Sequence, residues 1–260
     1  LILARARIAI LWPPRLLGMV GGVALVLLAF GLRLFRLENK SIWWDEGWSV
    51  WLARQDLGSI AATTAADEHP PLHYWFLHFW DGWAGETEFA VRFSSVLFAV
   101  LTVALTYRLG RDLLGRRWGL AAALFLAISR FHVWWSQEIK MYSLAVLLGL
   151  LSLYFFIRLL RAPKARFWVG YILANLAGLY VIYLHVFVLL VANVAWVILW
   201  RRRVVERSWC LSWVKAQAVV ALGFLPWVIY FQTKSRTWER LPPLDAAQFT
   251  KLYLTSMPLG

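Results

Sequence analysis

The sequence predicts an all-helical protein that crosses a membrane several times, and three observations carry that expectation. The chain of 260 residues is 61% hydrophobic with a mean hydropathy of +0.61 and holds 18 Trp, far more apolar and aromatic than an ordinary soluble domain. Its apolar residues fall in runs close to the length that a helix needs to span a bilayer. Its basic residues gather in the connectors between those runs, which is how membrane topology is written into a sequence.

Seven segments meet the length criterion: residues 16–36, 89–108, 118–134, 141–160, 167–184, 186–200 and 212–232. The third and sixth are short, and only Leu184-His185 separates the fifth from the sixth. The first has Arg5 and Arg7 ahead of its apolar core, as a signal peptide would, but the run is too long and shows no small-residue cleavage site before Arg33-Leu34-Phe35-Arg36. An uncleaved first helix is expected. Arg5, Arg7, Arg15 and the connectors around Arg108–Arg117, Arg158–Arg166 and Arg201–Lys215 share one side and hold 16 of the 27 Lys and Arg. Only Asp112 and Glu206 of the 14 acidic residues fall there. By the positive-inside rule this is the cytoplasmic side, and its cations meet anionic headgroups. The net charge of +13 is then a topology signal, and nucleic-acid binding is set aside. Cys210 is the single cysteine and supports neither a disulfide nor a thiolate metal site.

The opposite side receives a long loop, residues 37–88, a tight turn at Ser136-Gln137-Glu138-Ile139-Lys140, the His185 corner and the tail after Gln232. The whole of 1–260 reads as one transmembrane domain and as part of a longer protein. Within the long loop, Trp48, Val50, Trp51, Leu52 and Leu57 with Arg54, Gln55 and Asp56 predict a short helix on the membrane surface.

Chemistry is expected on that outer side. Asp45 and Glu46 stand together in Trp43-Trp44-Asp45-Glu46-Gly47-Trp48. They fit either the N-terminal turn of the surface helix, where its dipole favours negative charge, or a general base. His69-Pro70-Pro71-Leu72 presents His69 on a stiff extended backbone, whereas His73 and His78 repeat with Trp75, Leu77 and Trp80 at helical spacing and cover an apolar face. Asp45, Glu46, Glu68 and His69 offer oxygen and nitrogen ligands for a divalent cation, without the His/Cys spacing of a structural zinc site. Glu138, Lys140 and Tyr142 crowd into the tight turn, where Lys140 can meet a phosphate as a point charge. Arg92 and Arg130 sit near segment ends, where snorkelling and phosphate binding both fit. His185 beside Tyr183 reads as a satisfied interfacial histidine. A transporter or flippase would place charge at mid-bilayer, and the segment centres hold no Asp or Glu. That favours an interfacial enzyme over transport, and a non-catalytic scaffold stands as a third option.

Taken in order, several motifs resemble the GT-C membrane glycosyltransferases of the protein O-mannosyltransferase and aminoarabinose transferase type. They are Trp44-Asp45-Glu46, His69-Pro70-Pro71-Leu72, Glu88-Phe89-Ala90-Val91-Arg92 with Ser95, Phe131-His132-Val133-Trp134 with Ser136-Gln137-Glu138, Met141-Tyr142, Tyr183 with His185, and Leu225-Pro226-Trp227. The family often carries Arg where this chain has Lys140 and Pro where it has Arg130. The resemblance implies inverting transfer of a sugar from a polyprenyl-phosphate donor to a lipid, glycan or protein acceptor at the outer face of a cytoplasmic (inner or plasma) membrane. Asp45, with Glu46 beside it, would be the base. Lys140 and Arg92 would stabilise the leaving phosphate. Glu138, Glu46 and His69 would orient the base, the sugar or a metal, and Tyr142 and His185 would line the substrate site.

Overall fold

The computed structural model describes residues 14–67 and 69–234, with side chains from residue 20. Arg5, Arg7, Glu68 and the tail beyond Lys234 lie outside the described residues. All regular structure within them is helical: α1 (Pro14–Leu34), α2 (Trp44–Ala53), α3 (Leu57–Ala66), α4 (Leu72–Ala84), α5 (Glu88–Leu114), α6 (Arg116–Ile128), α7 (Arg130–Ser136), α8 (Tyr142–Arg161), α9 (Ala165–Val181), a 3-10 turn at Tyr183–His185, α10 (Val186–Arg201) and α11 (Arg207–Lys234).

Four helical segments are long and apolar enough to cross a membrane: Glu88–Leu114, Tyr142–Arg161, Tyr183–Arg201 and Arg207–Lys234. The other three expected spans fall on α1, on α6 with α7, and on α9. The continuous helix expected over 118–134 is in fact two. Ser129 leaves helical geometry at ψ 114 and its hydroxyl accepts the His132 backbone N–H, the N-cap arrangement that starts a new helix. The long loop holds three helices: the surface helix expected around Trp48 to Leu57 is divided into α2 and α3, and the helical repeat of His73 and His78 lies on α4. Asp56 caps α3 by accepting from Gly58 and Ser59, and Thr87 caps α5 by accepting from Ala90.

Two interior clusters hold the bundle. Ala29, Val103, Ala123 and Ala127 join α1, α5 and α6. Small side chains allow the close backbone approach on which helix association in lipid depends. Gly115, at φ +90, forms the α5–α6 turn, and Gly110 and Gly119 face each other across it so closely that a side chain on either would meet backbone. Phe156, Leu159, Phe167, Tyr171, Ala192, Trp209, Trp213 and Ala216 join α8 to α11. Leu27, Leu101, Phe125, Val191, Leu222 and Ile229 stay exposed, as lipid-facing side chains do.

The two ends of the bundle differ in chemistry. Arg161 donates to the Asp112 carbonyl at 2.6 Å and the Trp209 indole to the Leu159 carbonyl at 3.3 Å, so the described basic connectors meet at one end. The loop helices α2 to α4 pack at the other, where Val50, Ala53, Leu77, Val91 and Ile139 form a core and Leu52, Ile60 and Tyr74 another.

Asp81 on α4 is the strained member of this layer. It is 7% exposed and neither carboxylate oxygen has a hydrogen-bond partner. Burial, reinforced by nearby Glu86 and opposed by Arg54 and His78, pushes it up to about 6. An acid raised in the folded state holds a proton that the unfolded chain has released, so stability falls as pH rises from about 4 to about 6 and stays lower above that window. Asp81→Asn is expected to flatten this dependence, because an amide does not titrate, and to raise stability at neutral pH by about 1–3 kcal/mol, because no carboxylate charge is then held out of water. Thermal unfolding as a function of pH checks it.

Candidate active site

The long loop folds back over the tight turn between α7 and α8, and side chains from both fasten the fold. Gln137 donates to the Arg33 and Phe35 carbonyls at 3.0 and 2.9 Å. The Lys40 ammonium lies 3.5 Å from the centre of the Trp134 ring. The Trp43 indole donates to Glu138 at 2.6 Å, and the Ile139 N–H donates to Glu46 at 3.0 Å.

Glu46 and Arg92 form the buried centre of this joint, at 1% and 2% exposure. The guanidinium grips the carboxylate through two bonds, Nε to Oε1 at 3.0 Å and Nη2 to Oε2 at 2.7 Å. Its other donors go to the carbonyls of Leu37 at 3.0 Å, Lys40 at 2.7 Å and Ser41 at 3.3 Å. An Arg side chain has five N–H donors, and all five are engaged, which leaves none for a phosphate. Glu46 is spent in the same way, with three donors on its two oxygens.

Asp45, one residue earlier, stands in a different environment. It occupies the first turn of α2, where the helix dipole favours a carboxylate, and its side chain is 46% exposed. One oxygen lies 3.4 Å from the Lys140 ammonium; the other has no protein partner among the described residues. Lys140 itself is mostly buried, at 8% exposure, so its charge is presented by a stiff stem.

The Pro70-Pro71 segment delivers α4 to the same place. His69 is half-buried, and His73 is buried with neither ring nitrogen hydrogen-bonded. Burial, with the charges of Lys140 and His69 nearby, lowers His73 to about 3, so it is neutral. Burial holds the neighbouring Tyr74 above the usual phenol range, with Asp67, Asp45 and Tyr142 close enough to add to it. Tyr142 contributes a phenol at the rim and meets Trp135 edge to face at 4.5 Å.

Tyr142 also lines a cleft of roughly 1060 Å³ that runs between α5, α6, α7, α8 and the start of α10. Its walls are mainly apolar: Phe125, Leu126, Val146, Leu150, Leu153 and Val188, with Ser129, His132, Trp135 and Ser143 toward Tyr142 in sequence. His185 touches this cleft, but its Nε2 donates to Asn175 Oδ1 at 3.1 Å, an oxygen that also accepts from Ser152 at 2.9 Å. The ring is thus buried and hydrogen-bonded within the bundle. Tyr183 beside it accepts from the Trp227 indole at 3.1 Å, which brings two of the resemblance motifs together.

Among the described residues no three His, Cys, Asp or Glu side chains converge as a metal site would require. Glu46 is committed to Arg92 and Ile139, and Asp45 to Lys140. Arg33 has no candidate role in the sequence reading, and His132 enters it only within the Phe131-His132-Val133-Trp134 motif, with no role of its own. The signal for the first is an arginine inside an apolar helix, and for the second a histidine three residues past a helix-breaking serine.

Fold and site together define a class: a multi-pass helical membrane protein with its ionisable chemistry at one end of the bundle, above an apolar cleft. Residues 68–230 match the family model described as dolichyl-phosphate-mannose-protein mannosyltransferase, and the chain belongs to this family. It is therefore a glycosyltransferase that uses a lipid-phosphate-linked sugar, which displaces the transport and scaffold readings. No curated protein sequence matches the chain at a significant level.

Proposed function

We propose that the chain transfers a sugar from a polyprenyl-phosphate donor to an acceptor hydroxyl, with inversion, on the extracytoplasmic face of a cytoplasmic membrane. The pairing of a half-exposed Asp45 with a mostly buried Lys140 at 3.4 Å carries this reading, because it sets a free carboxylate oxygen beside a fixed cation. Asp45 takes the acceptor proton as its oxygen attacks the anomeric carbon. The bond from that carbon to the phosphate oxygen breaks on the opposite face, and the lipid phosphate leaves with the electron pair. Negative charge grows on the phosphate as that bond breaks, so Lys140 stabilises the transition state more than the ground state.

Glu46 and Arg92 act as positioning residues that hold α2 and the Leu37–Ser41 backbone against α5. Glu138, His69 and Tyr142 frame the sugar. The apolar cleft takes the polyprenyl chain, with Tyr142 at its rim two residues along from Lys140. The family description points to a protein hydroxyl as acceptor. We also assign seven crossings. α1 has 21 residues, α9 has 17, and α6 and α7 have 13 and 7 in tandem, near the ~20 residues a crossing helix needs.

The test supplies full-length protein in lipid with labelled polyprenyl-phosphate sugars and an acceptor peptide, and follows release of polyprenyl phosphate. Release with label on the peptide supports the proposal; no release from any donor overturns it.

A further inference from the structure

Arg33 is a cation without a counter-ion. It lies on α1, is fully buried, and among the described residues forms no ion pair with any carboxylate. Its Nη1 donates to the Ala29 and Ala127 carbonyls at 2.8 and 3.2 Å, and its Nη2 to the Leu126 carbonyl at 3.4 Å. Leu126 and Ala127 belong to the last turn of α6, whose carbonyls carry only partial negative charge. A full positive charge buried at such a place is costly unless an anion comes within reach.

The remaining strong contact shows where that charge is directed. Nη2 lies 2.7 Å from His132 Nδ1. A guanidinium has only donors, so Nδ1 is the acceptor and the ring proton sits on Nε2. His132 lines the apolar cleft with Ser129, Trp135, Tyr142 and Ser143, and Nε2 has no protein partner among the described residues. The ring is thus a neutral donor whose tautomer is set from behind by a cation.

We propose that His132 is a binding residue for the phosphate of the lipid donor, its Nε2–H aimed into the cleft, and that Arg33 is the residue that positions and polarises it. This rests on the function proposed above and adds a second contact to the phosphate from the cleft wall. A polarised N–H suits an anionic oxygen better than a sugar hydroxyl, and the uncompensated charge of Arg33 selects for the same anion.

The experiment uses the full chain in lipid nanodiscs and measures binding of polyprenyl phosphate and of the uncharged polyprenol to wild type, His132→Phe and His132→Gln. The Gln carbonyl can accept from Arg33 while its amide donates to the cleft. His132→Phe is expected to weaken polyprenyl phosphate by about 10- to 100-fold, the range for a hydrogen bond to a charged group, with polyprenol unchanged, and His132→Gln to recover most of the loss. Phosphate binding by His132→Phe at the wild-type level overturns the inference, as does an equal loss for both lipids, which would mean that the cleft wall has merely been deformed. Absence of polyprenyl phosphate binding to wild type overturns this inference and the proposed function together, whereas loss confined to His132→Phe with no selectivity for phosphate sinks this inference alone.

Discussion

Replacing Asp45 with Asn is expected to lower sugar transfer about 10²- to 10⁴-fold, the contribution of a positioned general base, without loss of the fold. The second half of that expectation is as specific as the first. Asp45 makes a single 3.4 Å side-chain contact and is half exposed, so its amide replacement disturbs no packed surface and should shift stability by no more than about 0.5 kcal/mol. An Asn of the same shape cannot accept the acceptor proton, and it also leaves Lys140 without its anionic neighbour. Release of lipid phosphate from a labelled donor, set beside the melting temperature of the same preparation, separates the two effects. Release at the wild-type rate would remove Asp45 from the mechanism.

Arg92→Met is expected to do the reverse, with stability failing first. Removing the guanidinium leaves the Glu46 carboxylate at 1% exposure with one remaining donor, the Ile139 N–H at 3.0 Å. It also leaves the carbonyls of Leu37, Lys40 and Ser41 without theirs. Breaking one side of a buried ion pair costs about 3–5 kcal/mol. The Glu46→Leu, Arg92→Met double variant should recover part of that loss, because neither charge is then stranded. Thermal unfolding of the single and double variants in detergent reads this out. If Arg92→Met melts like wild type and loses only transfer, the arginine contacts substrate and the joint does not depend on it.

The contrast between Asp45 and Glu46 shows what a sequence conveys about such a site. Two adjacent carboxylates look equivalent in Trp44-Asp45-Glu46, and both are candidates for the base. Successive residues on a helix point about 100° apart, so one turns to the interior and meets Arg92 while the other faces Lys140. The partner that separates them lies 46 residues away for Glu46 and 95 away for Asp45. Arg92 shows the same limit: its place near a segment end fits phosphate binding, and only the five carbonyl and carboxylate acceptors gathered from the loop reveal that its donors are engaged. His73 reads as covering an apolar helix face and is indeed buried, yet its two unpartnered nitrogens beside Lys140 become visible only once α4 is seated.

What the sequence by itself determined is the helical, membrane-crossing class, the clustering of basic connectors at one end, and the set of motifs that mark the family. These follow from hydropathy over about twenty residues and from local residue order, which need no partner to be read. The different surroundings of Asp45 and Glu46 and the contact of Arg33 with His132 were decided by the tertiary structure alone. Each depends on which side chains meet across 46 to 99 positions, and hydrogen-bond satisfaction in a low-dielectric interior selects those meetings after the helices have packed.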